Sequence, residues 1–319
     1  PVMIVATFMI QKAADKLEEV FHILGLKLNI PTSVRGATFD AVASSFPEFS
    51  TAMVAVIIYN DFANIGLPTI AGSGIFNVLL IPMLSILAYQ GAKMQIEMEK
   101  NAVKRDVFFY ILSLLALVIF TWLGEYNIWT GLTLIGIYIA YVYTLYLHTK
   151  DHQEENEAEV ITEEEDMSYG VIAFWVLVTI GVIWIAIDGI VKSATVISAT
   201  LNIPQFIVSV IILSACTSIP DTLLSVASAK KGDIDGAVAN AIGSNIFDIC
   251  LCLGIPIIVG SNPISTSLGD NLGVLVFLFL SVLTTGLILL TKDTIKNKHS
   301  YPMAAVYVLF VAYIVFTAI

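Results

Sequence analysis

Charge is scarce in this chain. Only 13% of its 319 residues are Asp, Glu, Lys or Arg, about half the roughly 25% usual in soluble domains. With 57% hydrophobic residues and a mean hydropathy of +0.87, an ordinary water-soluble domain is excluded and an integral membrane protein is expected. Cysteine is also rare. Cys216, Cys250 and Cys252 all lie in apolar stretches, which excludes a disulfide framework and any zinc-type spacing. Of the four histidines, His148 and His152 stand four apart at a helix end and read as a solvated pair at a membrane boundary. No cleavable signal pattern is visible, and the chain opens at Pro1 already in apolar sequence. The net charge of -11 suggests an acidic surface, but residues 149–168 alone carry nine acids against Lys150. That segment lacks the Asp/Asn alternation and glycine of a calcium loop and reads as a flexible linker.

What is present is repetition. Ser44-Ser45-Phe46-Pro47-Glu48 returns as Thr217-Ser218-Ile219-Pro220-Asp221, an offset of 173 residues. The same offset pairs Asn29-Ile30-Pro31 with Asn202-Ile203-Pro204, and Asp15 with Asp188. Further on, Gly72-Ser73-Gly74-Ile75-Phe76-Asn77 pairs with Gly243-Ser244-Asn245-Ile246-Phe247-Asp248 at an offset of 171. The chain is therefore a duplicated half.

Counting stretches of about 20 apolar residues as spans gives ten, near 1–27, 33–59, 64–90, 107–124, 127–148, 169–200, 205–230, 235–260, 271–291 and 301–319. The expected fold class is an all-α polytopic membrane protein. Residues 1–148 and 169–319 form five-helix repeats joined by the acidic 149–168 linker. Five spans per repeat force the halves into opposite orientations, the inverted-repeat plan of many secondary transporters. Lys27, Lys93, Lys100, Lys104, Arg105, Lys150, Lys230, Lys231, Lys292, Lys296 and Lys298 all fall in or beside alternate connections. Basic residues concentrate in cytoplasmic loops. The 149–168 loop is therefore expected in the cytoplasm and both termini outside, with the plasma membrane as the location.

A carboxylate at bilayer depth costs about 2.5–3.5 kcal/mol on insertion scales, so Glu48 and Asp221 need compensation. Each follows a proline, whose missing N–H frees the carbonyl four residues back, that of Ala43 or Cys216. Unwound turns there would offer carbonyls, the hydroxyls of Ser44, Ser45, Thr217 and Ser218, and two carboxylates, all near the midplane. Such hard oxygens suit Ca²⁺ and also Na⁺. Asn77 and Asp248, with Ser73 and Ser244 a turn earlier, add a second matched pair. The bland alternative is two kinks with acids buried against backbone.

These motifs, with Gly36-Ala37-Thr38-Phe39 and Thr69-Ile70-Ala71 beside them, resemble the two alpha repeats of the cation/calcium exchanger superfamily. They are most similar to the potassium-dependent sodium/calcium exchangers, in a prokaryotic-type member. The resemblance implies that Glu48 and Asp221 are central calcium ligands, helped by Ser44, Ser45, Thr217, Ser218 and the carbonyls of Ala41 and Ser214. It implies that Asn77, Asp248, Ser73 and Ser244 complete sodium sites. It also implies alternating access, with the first and sixth helices sliding over a fixed core while Na⁺ entry drives Ca²⁺ out. The Asp at 248 favours K⁺ binding, whereas protonation of one of three neighbouring carboxyls would remove the need for it. The implied partners are the lipid bilayer and the transported cations; no cofactor or nucleic acid is expected, and no protein partner is identified.

Departures from the family's pattern matter too. Ala43 and Cys216 replace the family's usual glycine and remain small, while Arg35 and Asp40 stand where the family is small or apolar. Asp40 shares a helical stripe with Ser44 and Glu48, so it is either an acid of the ion path or one paired locally. Lys12, Asp15, Lys16 and Glu19, like Asp188 and Lys192, are spaced for self-pairing, and the repeated Asp15 and Asp188 are also candidates for gating. Two other functions compete: a proton-driven calcium exchanger of the same superfamily, and a cation channel. An enzyme is not expected, because Ser267-Leu268-Gly269-Asp270 lacks the first glycine of the Gly-x-Gly-Asp string of intramembrane aspartyl proteases.

Overall fold

A computed structural model describes residues 2–30, 32–89, 100–151, 167–232, 234–260, 263–292 and 294–317, and among these described residues it has fourteen α-helices. Most of the acidic linker lies outside the described residues, as does His152. The first half contains α1 (Val2–Lys27), α2 (Thr32–Arg35), α3 (Ala41–Ser44), α4 (Phe46–Ile57), α5 (Leu67–Ala88), α6 (Lys100–Leu123) and α7 (Ile128–Asp151). The second contains α8 (Tyr169–Leu201), α9 (Gln205–Val208), α10 (Ser214–Lys230), α11 (Ile234–Phe247), α12 (Gly254–Val259), α13 (Leu268–Thr291) and α14 (Tyr301–Thr317).

Eight helical stretches among the described residues are long and apolar enough to cross a bilayer. The two expected spans that fall short do so for visible reasons. Helix α1 has the length but carries Lys12, Asp15, Lys16, Glu18 and Glu19. The 33–59 stretch is broken into α2, a π-helical turn at Gly36–Asp40, α3 and the twelve-residue α4. Large apolar side chains such as Phe8, Trp122, Trp129, Phe174, Ile185 and Phe316 face outward. Water would oppose such a surface, whereas lipid accepts it.

The repeat seen in the sequence returns in backbone detail. Asn29 and Asn202, 173 residues apart, both end a long helix in the left-handed region, with φ of 52° and 54°. Asn tolerates that conformation better than other residues bearing a Cβ. The π-helical turn at Gly36–Asp40 has its counterpart at Ser209–Leu213, at the same offset. A further π-helical turn, Asp248–Leu253, carries one of the matched acids.

Helices α1 and α8 pack along each other and form the centre of a second hydrophobic cluster. It includes Ile10, Leu17, Ile183, Ile187 and Ile190, with Val54 and Leu213 from the helices beneath. The larger core is separate and draws on α5, α6, α7, α11, α13 and α14. The helix-face charges pair as their spacing implies: Lys12 with Asp15 at 3.4 Å, Lys16 with Glu19 at 2.7 Å, and Lys192 with Asp188 at 2.5 Å. Asp188 also accepts a hydrogen bond from the Tyr59 hydroxyl, 3.1 Å away at the end of α4. Two short strands, β1 (Glu125–Tyr126) and β2 (Ile264–Ser265), pair antiparallel and tie two interhelical loops together.

Candidate cation site

The two proline-acid segments meet inside the protein, but they are built differently. In the first, α3 ends at Ser45, whose φ of -89° and ψ of 8° turn the chain, and α4 restarts at Phe46 with Pro47 in its first turn. Proline is tolerated there because a first-turn N–H has no helical acceptor. In the second, α10 runs unbroken from Ser214 to Lys230 through Pro220. The expected unwinding therefore occurs in one copy only. The second copy keeps its helix and simply leaves the Cys216 carbonyl without an i+4 amide donor.

Every residue proposed from the sequence for this site is buried, with Glu48, Asn77 and Asp248 fully enclosed and Asp221 1% exposed. The Ser73 hydroxyl bridges the halves, donating to Glu48 Oε1 at 3.1 Å and lying 2.7 Å from the Ser218 hydroxyl. Ser218 is also 3.3 Å from the same Glu48 oxygen, and Thr217 stands beside it. The Asn77 amide donates to Ser73 Oγ at 3.4 Å. Asp248 lies within electrostatic range of Glu48 and Asp221, as Asp221 does of Glu48.

Other residues of the set are turned to local bonds. The Ser44 hydroxyl donates to the Ala41 carbonyl, Thr217 to Ser214, Ser214 to Val210, and Ser244 to Ala241. Ser45 stands beside Asp248, but its hydroxyl falls short of well-formed hydrogen-bond geometry. The Ser73–Ser218 bridge thus has no mirror in a Ser244–Ser45 contact, and the site is asymmetric.

Within the set proposed from the sequence, five buried acceptor oxygens close no hydrogen bond: Glu48 Oε2, both oxygens of Asp221, Asp248 Oδ2 and Asn77 Oδ1. An unsatisfied buried polar group costs about 1–3 kcal/mol, and a charged one more. Buried polar atoms are almost always paired, so oxygens left together in this way fit a cation. Among the described residues no three His, Cys, Asp or Glu side chains converge closely enough to hold a metal by themselves. A cation held here would draw much of its shell from hydroxyl, amide and carbonyl oxygens.

Sequence reasoning missed several neighbours. Cys252 points its thiol at Asp248 Oδ1 (3.6 Å) and at the Ser45 carbonyl (3.8 Å); its place one turn after Asp248 was the available signal. Asn245 donates to the Gly74 carbonyl at 3.4 Å. Residues 74 and 245 are also repeat mates, so the two copies touch at equivalent positions. The Tyr110 hydroxyl is buried without a partner near Asp248, and nothing in its apolar surroundings in sequence signals it.

Glycine at 72 lets α5 press on the second repeat. A Cβ there would run into the Val210 carbonyl and come 2.8 Å from Ser214 Oγ. Gly72→Val should therefore destabilise the protein by about 1–3 kcal/mol, the usual cost of overpacking. Thermal unfolding in detergent would read this as a lowered Tm, and an unchanged Tm would contradict the close packing.

Comparison with known proteins decides the family. Residues 1–147 and 171–319 match the family described as sodium/calcium exchanger protein. The chain belongs to that family. Its members are exchangers and not enzymes, and the chain is accordingly an integral membrane protein. It is 24% identical over 264 residues to the inner membrane protein YrbG of Escherichia coli, covering 81% of this chain and 78% of that protein. It is 39% identical over 130 residues to human sodium/potassium/calcium exchanger 5, covering 36% of this chain and a quarter (25%) of the human protein. Two solved structures show the fold: the H⁺/Ca²⁺ exchanger CAX, with a TM-score of 0.77 and 12% identity, and the sodium-calcium exchanger NCX_Mj, with a TM-score of 0.64 and 21% identity. Each covers 98% of this chain, with 81% and 96% of the respective structures matched.

Proposed function

We propose that the protein is a secondary antiporter that exchanges Na⁺ for Ca²⁺, with K⁺ travelling alongside Ca²⁺, by alternating access to one central site. The observation that carries this reading is the group of donor-less, fully buried oxygens on Glu48, Asp221, Asp248 and Asn77. Calcium takes 6–8 oxygens at about 2.3–2.6 Å. Glu48 and Asp221 supply the charge, with Ser44, Ser45, Thr217, Ser218 and the carbonyls of Ala41 and Ser214 around them. Each carbonyl keeps a second lone pair for a metal beyond its local bond.

Sodium is favoured over protons as the driving ion by the site's non-titrating groups. A proton needs only a carboxylate, whereas Asn77, Ser73 and Ser244 offer oxygen ligands to a metal ion. Three carboxylates balance one Ca²⁺ plus one K⁺ in charge.

Ten spans in two inverted halves, 1–148 and 169–319, provide the two access states. The matched left-handed Asn29 and Asn202 and the matched π-helical turns support the repeat. Ten passes also put the loops around β1 and β2 on one side of the membrane, where the strands pair. In this reading both termini lie outside the plasma membrane and the 149–168 linker lies in the cytoplasm. Helices α1 and α8, which pack along each other, move as a unit across the site.

The test is ⁴⁵Ca²⁺ uptake by proteoliposomes loaded with NaCl and diluted into sodium-free buffer at equal pH on both sides. Uptake that follows the sodium gradient, and is unchanged when a proton ionophore is added, is expected. Uptake driven only by an imposed pH gradient would replace sodium with protons, and non-saturating uptake without any counter-ion would point to a channel.

A further inference from the structure

Tyr110 of α6 and Asn245 of α11 stand at the edge of the cation cage, and neither is among its expected ligands. Both are fully enclosed. The Tyr110 hydroxyl and Asn245 Oδ1 each close no hydrogen bond, although a buried polar atom left in this way costs stability and is rare. The Asn245 Nδ2 donates to the Gly74 carbonyl at 3.4 Å. That bond fixes the amide, so its unpaired end is the oxygen, which can only accept.

The two atoms converge on Gly74 of α5. A Cβ there would lie 3.2 Å from the Tyr110 hydroxyl and 4.0 Å from Asn245 Oδ1, with a methyl of Leu278 on α13 3.0 Å away. Two oxygens from different helices thus meet at one point, and the buried Leu278 covers it with hydrocarbon. The repeat extends the group. Asn77 follows Gly74 by three residues on α5, and Asp248 follows Asn245 by three where α11 passes into its π-helical turn. Residues so spaced share a helix face. Asn77 Oδ1 and Asp248 Oδ2 are also fully buried and close no hydrogen bond. The group therefore comprises a phenol oxygen, two amide oxygens and one carboxylate oxygen from three helices.

We propose that Tyr110 and Asn245, with Asn77 and Asp248, hold an alkali-metal ion in a subsite beside the calcium ligands Glu48 and Asp221. The subsite deepens the antiport reading above and rests on it. Charge selects the ion. Asp248 is the single acid of the four residues, and one carboxylate balances one monovalent cation. A divalent ion would leave a surplus charge in a fully enclosed place, where an uncompensated charge is strongly unfavourable. The phenol and amide oxygens coordinate through lone pairs and carry no charge, so they fill the shell without disturbing that balance. Glycine at 74 keeps a side chain from crowding the Tyr110 hydroxyl.

The test is thermal unfolding of the purified full chain in calcium-free detergent buffer, titrated with KCl or with NaCl against N-methyl-D-glucamine chloride at constant ionic strength. The wild type should gain Tm saturably from an alkali salt, and the two titrations show whether K⁺ or Na⁺ is the occupant. Tyr110→Phe removes one oxygen and nothing else. It should keep or raise the Tm without alkali ions, and weaken the apparent affinity for the occupant by roughly 10–100-fold, the range for losing one bond to a charged group. Gly74→Ala, which sets a methyl 3.2 Å from the hydroxyl, should weaken it as well. The proposal is overturned if Tyr110→Phe responds to both salts as the wild type does, which would leave the hydroxyl to a buried water. A lowered Tm of Tyr110→Phe without alkali ions would mark a structural partner and overturn it too, as would a wild type that gains no Tm from either salt. A Tyr110-dependent response in a protein whose calcium flux ignores the sodium gradient would sustain the subsite and strike only the choice of driving ion.

Discussion

Replacing Glu48 with glutamine is expected to stop calcium transport, lowering sodium-driven flux by more than about 100-fold. Glu48 is wholly buried, one of its oxygens is held by Ser73 and Ser218, and the other has no donor. Removing one charge from a buried charge pair costs about 3–5 kcal/mol, and every 1.4 kcal/mol is about tenfold in affinity. The same change should not harm folding in the absence of cations. An uncompensated carboxylate in this interior is unfavourable, so the neutral amide should leave the Tm of the cation-free protein equal or higher. The wild type alone should gain stability from calcium, about 2.7 kcal/mol at a hundredfold excess over Kd. Flux near the wild-type level in a folded Glu48→Gln protein would remove Glu48 from the site.

Asp248→Asn is expected to separate potassium from calcium. Calcium flux in the wild type should require K⁺, while in the variant it should persist and become indifferent to K⁺. The charge argument is direct: Glu48, Asp221 and Asp248 offer three negative charges in mutual range, matching Ca²⁺ and K⁺ together. With Asn the balance is met by Ca²⁺ alone, and K⁺ affinity should fall by roughly 100-fold for the loss of its countercharge. Transport assays across a K⁺ series on both proteins read the effect. If wild-type flux ignores K⁺ from the outset, the third carboxyl is protonated or serves sodium alone.

Much of this site was legible because it breaks a rule. Polar triplets with proline and an acid, placed twice in apolar sequence, announce Glu48 and Asp221 without any structure. The Gly-Ser strings do the same for Asn77 and Asp248. Eight of the ten expected passes return as long apolar helices among the described residues, whereas α1 and the 33–59 stretch escape a hydropathy criterion. One carries five charges within residues 12–19 and the other is interrupted at Ser45.

What could not be read was which hydroxyls turn inward. Ser44 and Ser244 look equivalent to Ser45 and Ser73 in sequence, yet they close bonds to Ala41 and Ala241 within their own helices. The choice depends on whether a partner from the other repeat arrives within reach, as Ser218 does for Ser73. The unequal fate of Pro47 and Pro220 was equally invisible, because a proline can open a helix at its first turn or be carried within it.

The central claim is that one buried oxygen cage takes calcium and sodium in turn. Equilibrium ⁴⁵Ca²⁺ binding to the purified protein, titrated with NaCl at constant ionic strength and compared with Asp221→Asn, tests it most directly. The account predicts saturable calcium binding that sodium displaces competitively, and that is absent in Asp221→Asn. Calcium binding that ignores sodium, or that survives in Asp221→Asn, would contradict it.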